Sequence, residues 1–274
     1  MSKSISQPLP SSLSLLKVQV KYQFKLLART PRLIVSAFIL PLLILWIRHS
    51  TGGGTPGTTA NLESLGGIAT FGVMSVCFSI LAVRLVSARE SGVLKRLHAA
   101  PVPPVFYFAG QIVASVGLAL IAVAVTVLFG YTEHIHLAAH VVPAILIAVL
   151  VGSLAWSACG VGIAAAFRDV SSAQALLQAI LLPLVFFSGV LFMTSQEPHW
   201  LATLASWLPA EPFVDMLTKS LQLQSGWFVF PIRDVLILLG WAVVSIVIAV
   251  RYFSWEPYRA AGRAKHKQKV AYDN

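Results

Sequence analysis

Six long apolar stretches dominate this chain, and their middles carry no Asp, Glu, Lys or Arg. They fall at about 30–47, 66–87, 104–130, 138–166, 171–193 and 231–253. A helix that crosses a bilayer needs roughly 20 apolar residues, since hydrocarbon offers its backbone groups no water and they must pair within the segment. Each stretch therefore reads as a transmembrane helix, and the six together as one all-α membrane domain over 12–253. A membrane barrel would instead alternate apolar and polar residues over about ten positions. Pro41 interrupts the first stretch and Pro183 the fifth, where a kink is expected.

Composition agrees. Hydrophobic residues make up 57% of the 274 and charged residues 11%, and the mean hydropathy is +0.80. A soluble domain carries about 25% charged residues, so this chain could not cover a water-facing surface. A soluble enzyme, a disordered chain and a nucleic-acid-binding domain are excluded, despite a net charge of +10. Cys77 and Cys159 lie inside apolar runs and read as small packing residues. No small-residue cleavage site follows the first apolar run, so no cleaved leader is expected.

Basic residues mark the cytoplasmic ends of spans. Seventeen of the 20 Lys and Arg fall in the N-terminal segment, the loops after spans two and four, and the C-terminus, while Arg48, Lys219 and Arg233 fall on the other side. Both termini are thus expected in the cytoplasm, with residues 1–11 disordered and 254–274 a basic tail.

Three segments outside the spans are patterned. Over 12–29, Lys17, Lys21, Lys25 and Arg29 form a stripe beside an apolar face of Leu13, Leu16, Val20, Phe24 and Leu27, the pattern of an interfacial helix on anionic lipid. Residues 88–98 predict a short cytoplasmic helix ended by Pro101, Pro103 and Pro104. It is either an interaction element or a solvated loop that sets topology. The loop 194–230 is apolar and rich in Trp and Pro, and predicts two short helices, 197–207 and 210–224, that dip into the outer leaflet.

Nucleotide-binding and hydrolase motifs are absent. Glu133, His134, His136 and His140 gather near one loop but lack metal-ligand spacing, and no metal site is assigned. Charge-free span middles disfavour an ion-coupled carrier. Ala158, Gly162 and Ala166 recur every four residues and suit close helix packing.

Two stretches carry a resemblance. Arg89-Glu90-Ser91-Gly92-Val93-Leu94-Lys95-Arg96-Leu97, followed by Ala100-Pro101, resembles the Arg-Glu-x-Gly-x-x-x-x-Leu…Thr-Pro coupling segment of type-2 ABC-exporter permeases, with Ala100 in place of Thr. Pro183, Phe187-Ser188-Gly189, Trp200 and Leu208-Pro209…Pro212 are similar to that family's Pro…Ser-Gly…Pro-x-Trp…Asn-Pro stretch. Met193 and Thr194 stand where a Pro is common, and Ala210 follows Pro209. The family includes daunorubicin-type, nodulation-factor and polysaccharide exporters and shares its fold with ABCG half-transporters. The resemblance covers about 15–253.

The resemblance implies an export permease of the bacterial inner membrane that binds no cofactor itself. Two cytosolic ATPase subunits holding ATP and Mg would dock on the coupling segment, through Arg89, Glu90, Gly92, Leu94, Arg96 and Leu97. Glu90 would face the motor. A second copy would complete a homodimer. Spans two and five would meet near its axis, placing Met74, Phe78, Phe186, Phe187 and Ser188 around a cavity for a hydrophobic or amphipathic cargo such as a drug or lipid. The alternative is a membrane scaffold that binds a partner and moves nothing.

Overall fold

The computed structural model describes residues 12–50, 59–99, 103, 105–132, 139–167, 169–187, 203–222 and 231–253. Its helices are α1 (Ser12–Arg29), α2 (Pro31–Ser50), α3 (Thr59–Met74), a π-helical segment (Ser75–Ile80), α4 (Leu81–Glu90), α5 (Val93–His98), α6 (Val105–Thr132), α7 (Val142–Ala166), α8 (Val170–Phe187), α9 (Ala210–Leu221) and α10 (Ile232–Tyr252). A 3-10 turn, Ala139–Val141, leads into α7.

Among the described residues, four helices are long and apolar enough to cross a membrane: Leu62–Glu90, Val105–Tyr131, Val142–Ala166 and Ile232–Tyr252. Two shorter apolar helices, Phe38–Ile47 and Val170–Leu184, stand where the sequence places spans one and five. Residues 1–11, 188–202 and 254–274 lie outside the described residues, and with them the end of the fifth expected span and most of the 197–207 helix.

The helix from Leu62 to Glu90 is the hub. In its most apolar window 83% of residues are buried, against 17% for Ile232–Tyr252 at the periphery. Lipid tails are as apolar as the side chains, so these helices associate through close packing more than through the hydrophobic effect. Small residues on α7 permit it. A Cβ on Gly160 would come within 2.7 Å of the Cys77 carbonyl, and one on Gly162 within 2.7 Å of the Ser245 carbonyl. α7 thus touches the π segment through one glycine and α10 through the next.

Within the π segment the Leu81 amide reaches back to the Val76 carbonyl, five residues away, which marks the wider turn. The hub crosses α7 here, and Phe78 meets Trp156 edge-on with centroids 5.6 Å apart.

α1 turns Lys17, Lys21, Lys25 and Arg29 outward, as its stripe predicts. Its inner face is less apolar than expected: Gln23 and Leu27 are buried, whereas Leu13 and Phe24 are 70% and 40% exposed. It packs along α6, where Gly110 and Gly117 leave room for Gln19 and Phe24. Arg84 on α4 donates to the Gln23 side-chain oxygen at 2.6 Å, tying α1 to the hub.

α9 agrees with the expected 210–224 helix to within a turn. Its Phe213, Met216, Leu217 and Leu221 are buried, and it packs against α3, α7 and α10. A Cβ on Gly152 would overlap the Phe213 ring, and one on Gly66 the Thr218 hydroxyl.

Candidate transport cavity and the Arg-Glu elbow

The expected single helix over 88–98 is two pieces. α4 ends at Glu90, and Gly92 adopts φ 74°, ψ 9° before α5 begins. That left-handed conformation costs a side-chain-bearing residue energy that glycine escapes, so Ser91-Gly92 forms an elbow. The Ser91 hydroxyl donates to the Ser87 carbonyl at 2.8 Å and closes the last turn of α4.

The elbow divides the residues of the Arg-Glu-x-Gly stretch. Leu94 is wholly buried and Leu97 half-buried, so they anchor α5. Lys95 and Arg96 are exposed. Arg89 is only 4% exposed, and its guanidinium lies 5.9 Å from the Phe253 ring centroid. Arg89 does not share a charged face with Lys95 and Arg96, because it still belongs to the hub helix.

Glu90 turns inward across the chain. Its Oε2 accepts a hydrogen bond from the Val170 amide at 3.3 Å. Val170 is the first residue of α8, whose first amides have no partner within the helix. Asp169 satisfies a second one: its Oδ1 accepts from the Ser172 amide at 2.8 Å and from the Ser171 hydroxyl at 2.7 Å. Its Oδ2 accepts from the Ser172 hydroxyl at 2.9 Å. This is an N-cap. The Ser172 amide, with the two hydroxyls, lowers the Asp169 carboxyl to a pKa of about 2. Two carboxylates thus sit at the positive end of α8.

α8 forms one wall of a cavity of about 560 Å3, open on one side. Ala179, Ile180, Pro183 and Leu184 line it from α8, Phe78 from the π segment, Trp156, Cys159, Gly162, Ile163 and Ala166 from α7, and Trp241, Val244, Ser245 and Ile248 from α10. Leu208 and Pro209 close it before α9. Among the described residues no charged side chain lines it.

Of the residues expected around a cavity, Phe78 is there. Met74 is fully buried in the core and does not line it. Phe186 and Phe187 lie on α8 with side chains outside the description, and Ser188 lies outside the described residues. Gly162 and Ala166, expected to pack helices, face the cavity, while Ala158 lines a separate groove. α7 and α10 supply most of the wall, which periodicity could not indicate. Glu133, His134 and His136 lie outside the described residues, and His140 is exposed.

The cavity is clamped at its far end. Trp241 donates from its indole nitrogen to the Trp207 carbonyl at 2.9 Å. Arg233 donates to the Ser206 hydroxyl at 3.2 Å. Lys219 pairs with Asp215 at 3.2 Å and with Asp234 at 3.5 Å, joining α9 to α10.

A family model described as ABC-2 type transporter matches residues 14–221. No curated protein matches the chain.

Proposed function

Because the chain belongs to the ABC-2 type transporter family, we propose that it is the membrane-spanning permease of an ATP-driven exporter in the bacterial inner membrane. The cargo is hydrophobic or amphipathic. It crosses six spans, counting α2 and α8, and both termini face the cytoplasm. A second copy completes the cavity, and two separate ATPase subunits carry ATP and Mg.

The observation that carries this reading is the connection from elbow to cavity. α5 offers Lys95 and Arg96 to solvent, beside the buried anchor Leu94. Glu90, at the base of the same elbow, holds the first amide of α8, and α8 walls the cavity. A motor that displaces α5 therefore pulls on a cavity wall through one carboxylate. The apolar lining favours cargo with little charge, since an unpaired charge in such surroundings is costly.

The test is reconstitution of the chain in liposomes with a candidate ABC ATPase from the same genome. ATP-dependent release of a hydrophobic dye or lipid, together with hydrolysis stimulated by the permease, is expected. An ATPase that neither binds the chain nor responds to it would leave a non-transporting scaffold as the better reading.

A further inference from the structure

One end of the cavity is closed by a turn and not by a helix. Leu208 and Pro209 are the described lining residues that belong to no helix, and the others stand on the π segment, α7, α8 or α10. The two end a turn over 203–209. Within it the Trp207 amide donates to the Leu204 carbonyl at 3.2 Å and the Leu208 amide to the Ala205 carbonyl at 2.9 Å. Pro209 has no amide to extend it. Leu204 and Trp207 are exposed, while α9, which follows, is anchored by the buried Phe213, Met216 and Leu217. The turn thus hangs from a fixed helix.

Two side chains of α10 hold the turn in place. Trp241 donates from its indole nitrogen to the Trp207 carbonyl, and Arg233 donates to the Ser206 hydroxyl. Trp241 stands nine residues beyond Ile232, the start of α10, about 14 Å along the axis at 1.5 Å per residue. One leaflet of the hydrocarbon core is roughly 15 Å deep. The Trp207 carbonyl therefore lies where water is scarce, and leaving it unpaired is costly. Trp241 is also a wall residue of the cavity. One side chain thus borders the cargo space and holds the turn that closes it.

We propose that the 203–209 turn is the outward gate of the cavity and that Trp241 is the positioning residue that latches it. In the orientation proposed above, cargo bound for the outer side passes this turn or parts packed helices. Swinging the turn about Pro209 gives up two side-chain contacts. Parting α7 from its neighbours would break the close approaches at Gly160 and Gly162. The gate rests on the transport reading, whereas its test uses neither ATPase nor cargo. The latch can therefore fail in a chain that exports, and hold in one that does not.

Hydrogen exchange of the full chain in lipid nanodiscs, read on peptides covering 203–209, tests the latch. Trp241→Phe keeps an aromatic ring and removes the donor, so the Trp207 and Leu208 amides should exchange about two- to tenfold faster. Ser206→Ala removes the Arg233 contact and should act in the same direction, and it carries the test if Trp241→Phe fails to fold. Gly240→Ala, where an added Cβ meets nothing within 4 Å, should exchange as wild type does. Cys159 lines the cavity beneath the turn, whereas Cys77 is fully buried and does not line it. A membrane-impermeant, positively charged methanethiosulfonate added to the outer face of right-side-out vesicles should therefore modify Cys159 faster in the latch variants than in wild type, and leave Cys77 untouched. Unchanged exchange at the turn, or faster exchange spread equally over α7 and α9, would overturn the latch. Faster exchange at the turn with Cys159 still protected would overturn the gate.

Discussion

Glu90, the last residue of α4, accepts a hydrogen bond from the Val170 amide at 3.3 Å, although the two lie 80 positions apart in the chain. The contact joins the elbow below the hub helix to the first turn of α8. It gives this acid a partner within the chain. As the acidic member of the Arg-Glu-x-Gly stretch, Glu90 reads in the sequence as a contact for a motor. In the fold the half-buried Glu90 also holds the first amide of α8, while Ser91, Lys95 and Arg96 are exposed.

Removing the Glu90–Val170 contact should uncouple the cavity from the elbow. Glu90→Ala is expected to cost about 0.5–2 kcal/mol of local stability, as the loss of a helix cap does, and to lower export several-fold while the protein stays in the membrane. Glu90→Gln keeps an acceptor oxygen and should fall between. Proteoliposome export and hydrolysis assays measure both, and wild-type export from both variants would dismiss a coupling role for that contact.

Asp169 makes a pH-dependent contribution. Its pKa is about 2 in the folded chain, below the ~3.9 of an unfolded Asp. A depressed folded value means that the stabilisation is fully present above about pH 4 and is lost as pH falls towards about 2. Asp169→Ala should therefore melt below wild type at pH 5–8, and the gap should close over that acid window. A gap that persists at about pH 2 would show that the carboxylate is not its source.

The glycines of the bundle should rank by what a methyl group would meet. At Gly160 it would press on backbone oxygen at 2.7 Å, so Gly160→Ala should cost about 1–3 kcal/mol, the range for overpacking. At Gly72 the neighbour is a methyl group at 3.4 Å, and Gly72→Ala should be milder. Melting temperatures in one detergent give the order, and equal values would contradict the packing described for α7 and the π segment.

The cavity can be tested without disturbing the core. Phe78 is 3% exposed, so Phe78→Ala should cost about 3–5 kcal/mol and would confound cargo effects with unfolding. Ala179 is exposed and lines the cavity. Ala179→Phe should reduce cargo-stimulated hydrolysis while basal hydrolysis and melting stay near wild type. Full stimulation in this variant would place the cargo elsewhere.

Orientation is open to reporter fusions. A fusion at Asn274 should report a cytoplasmic location, and one within 51–60 the opposite side. A periplasmic signal at Asn274 would reverse the topology proposed from the basic residues.

The sequence by itself determined where the helices lie and what surrounds them. An apolar run is a local property, and it alone decides whether a segment can enter hydrocarbon, so 66–87, 104–130, 138–166 and 231–253 were legible without a fold. Pro41 and Pro183, the exposed basic stripe of α1 and the close contact at Gly162 follow from spacing on one helix. What only the tertiary structure decided is which helix faces which. Hydropathy carries no such information, because lipid tails and neighbouring helices are equally apolar and the choice rests on shape. Hence the widened turn at Ser75–Ile80, the burial of Arg89 against Phe253, the turn of Glu90 to Val170 and the cavity wall built from α7 and α10 could not be read in advance. Each depends on a partner far away in the chain.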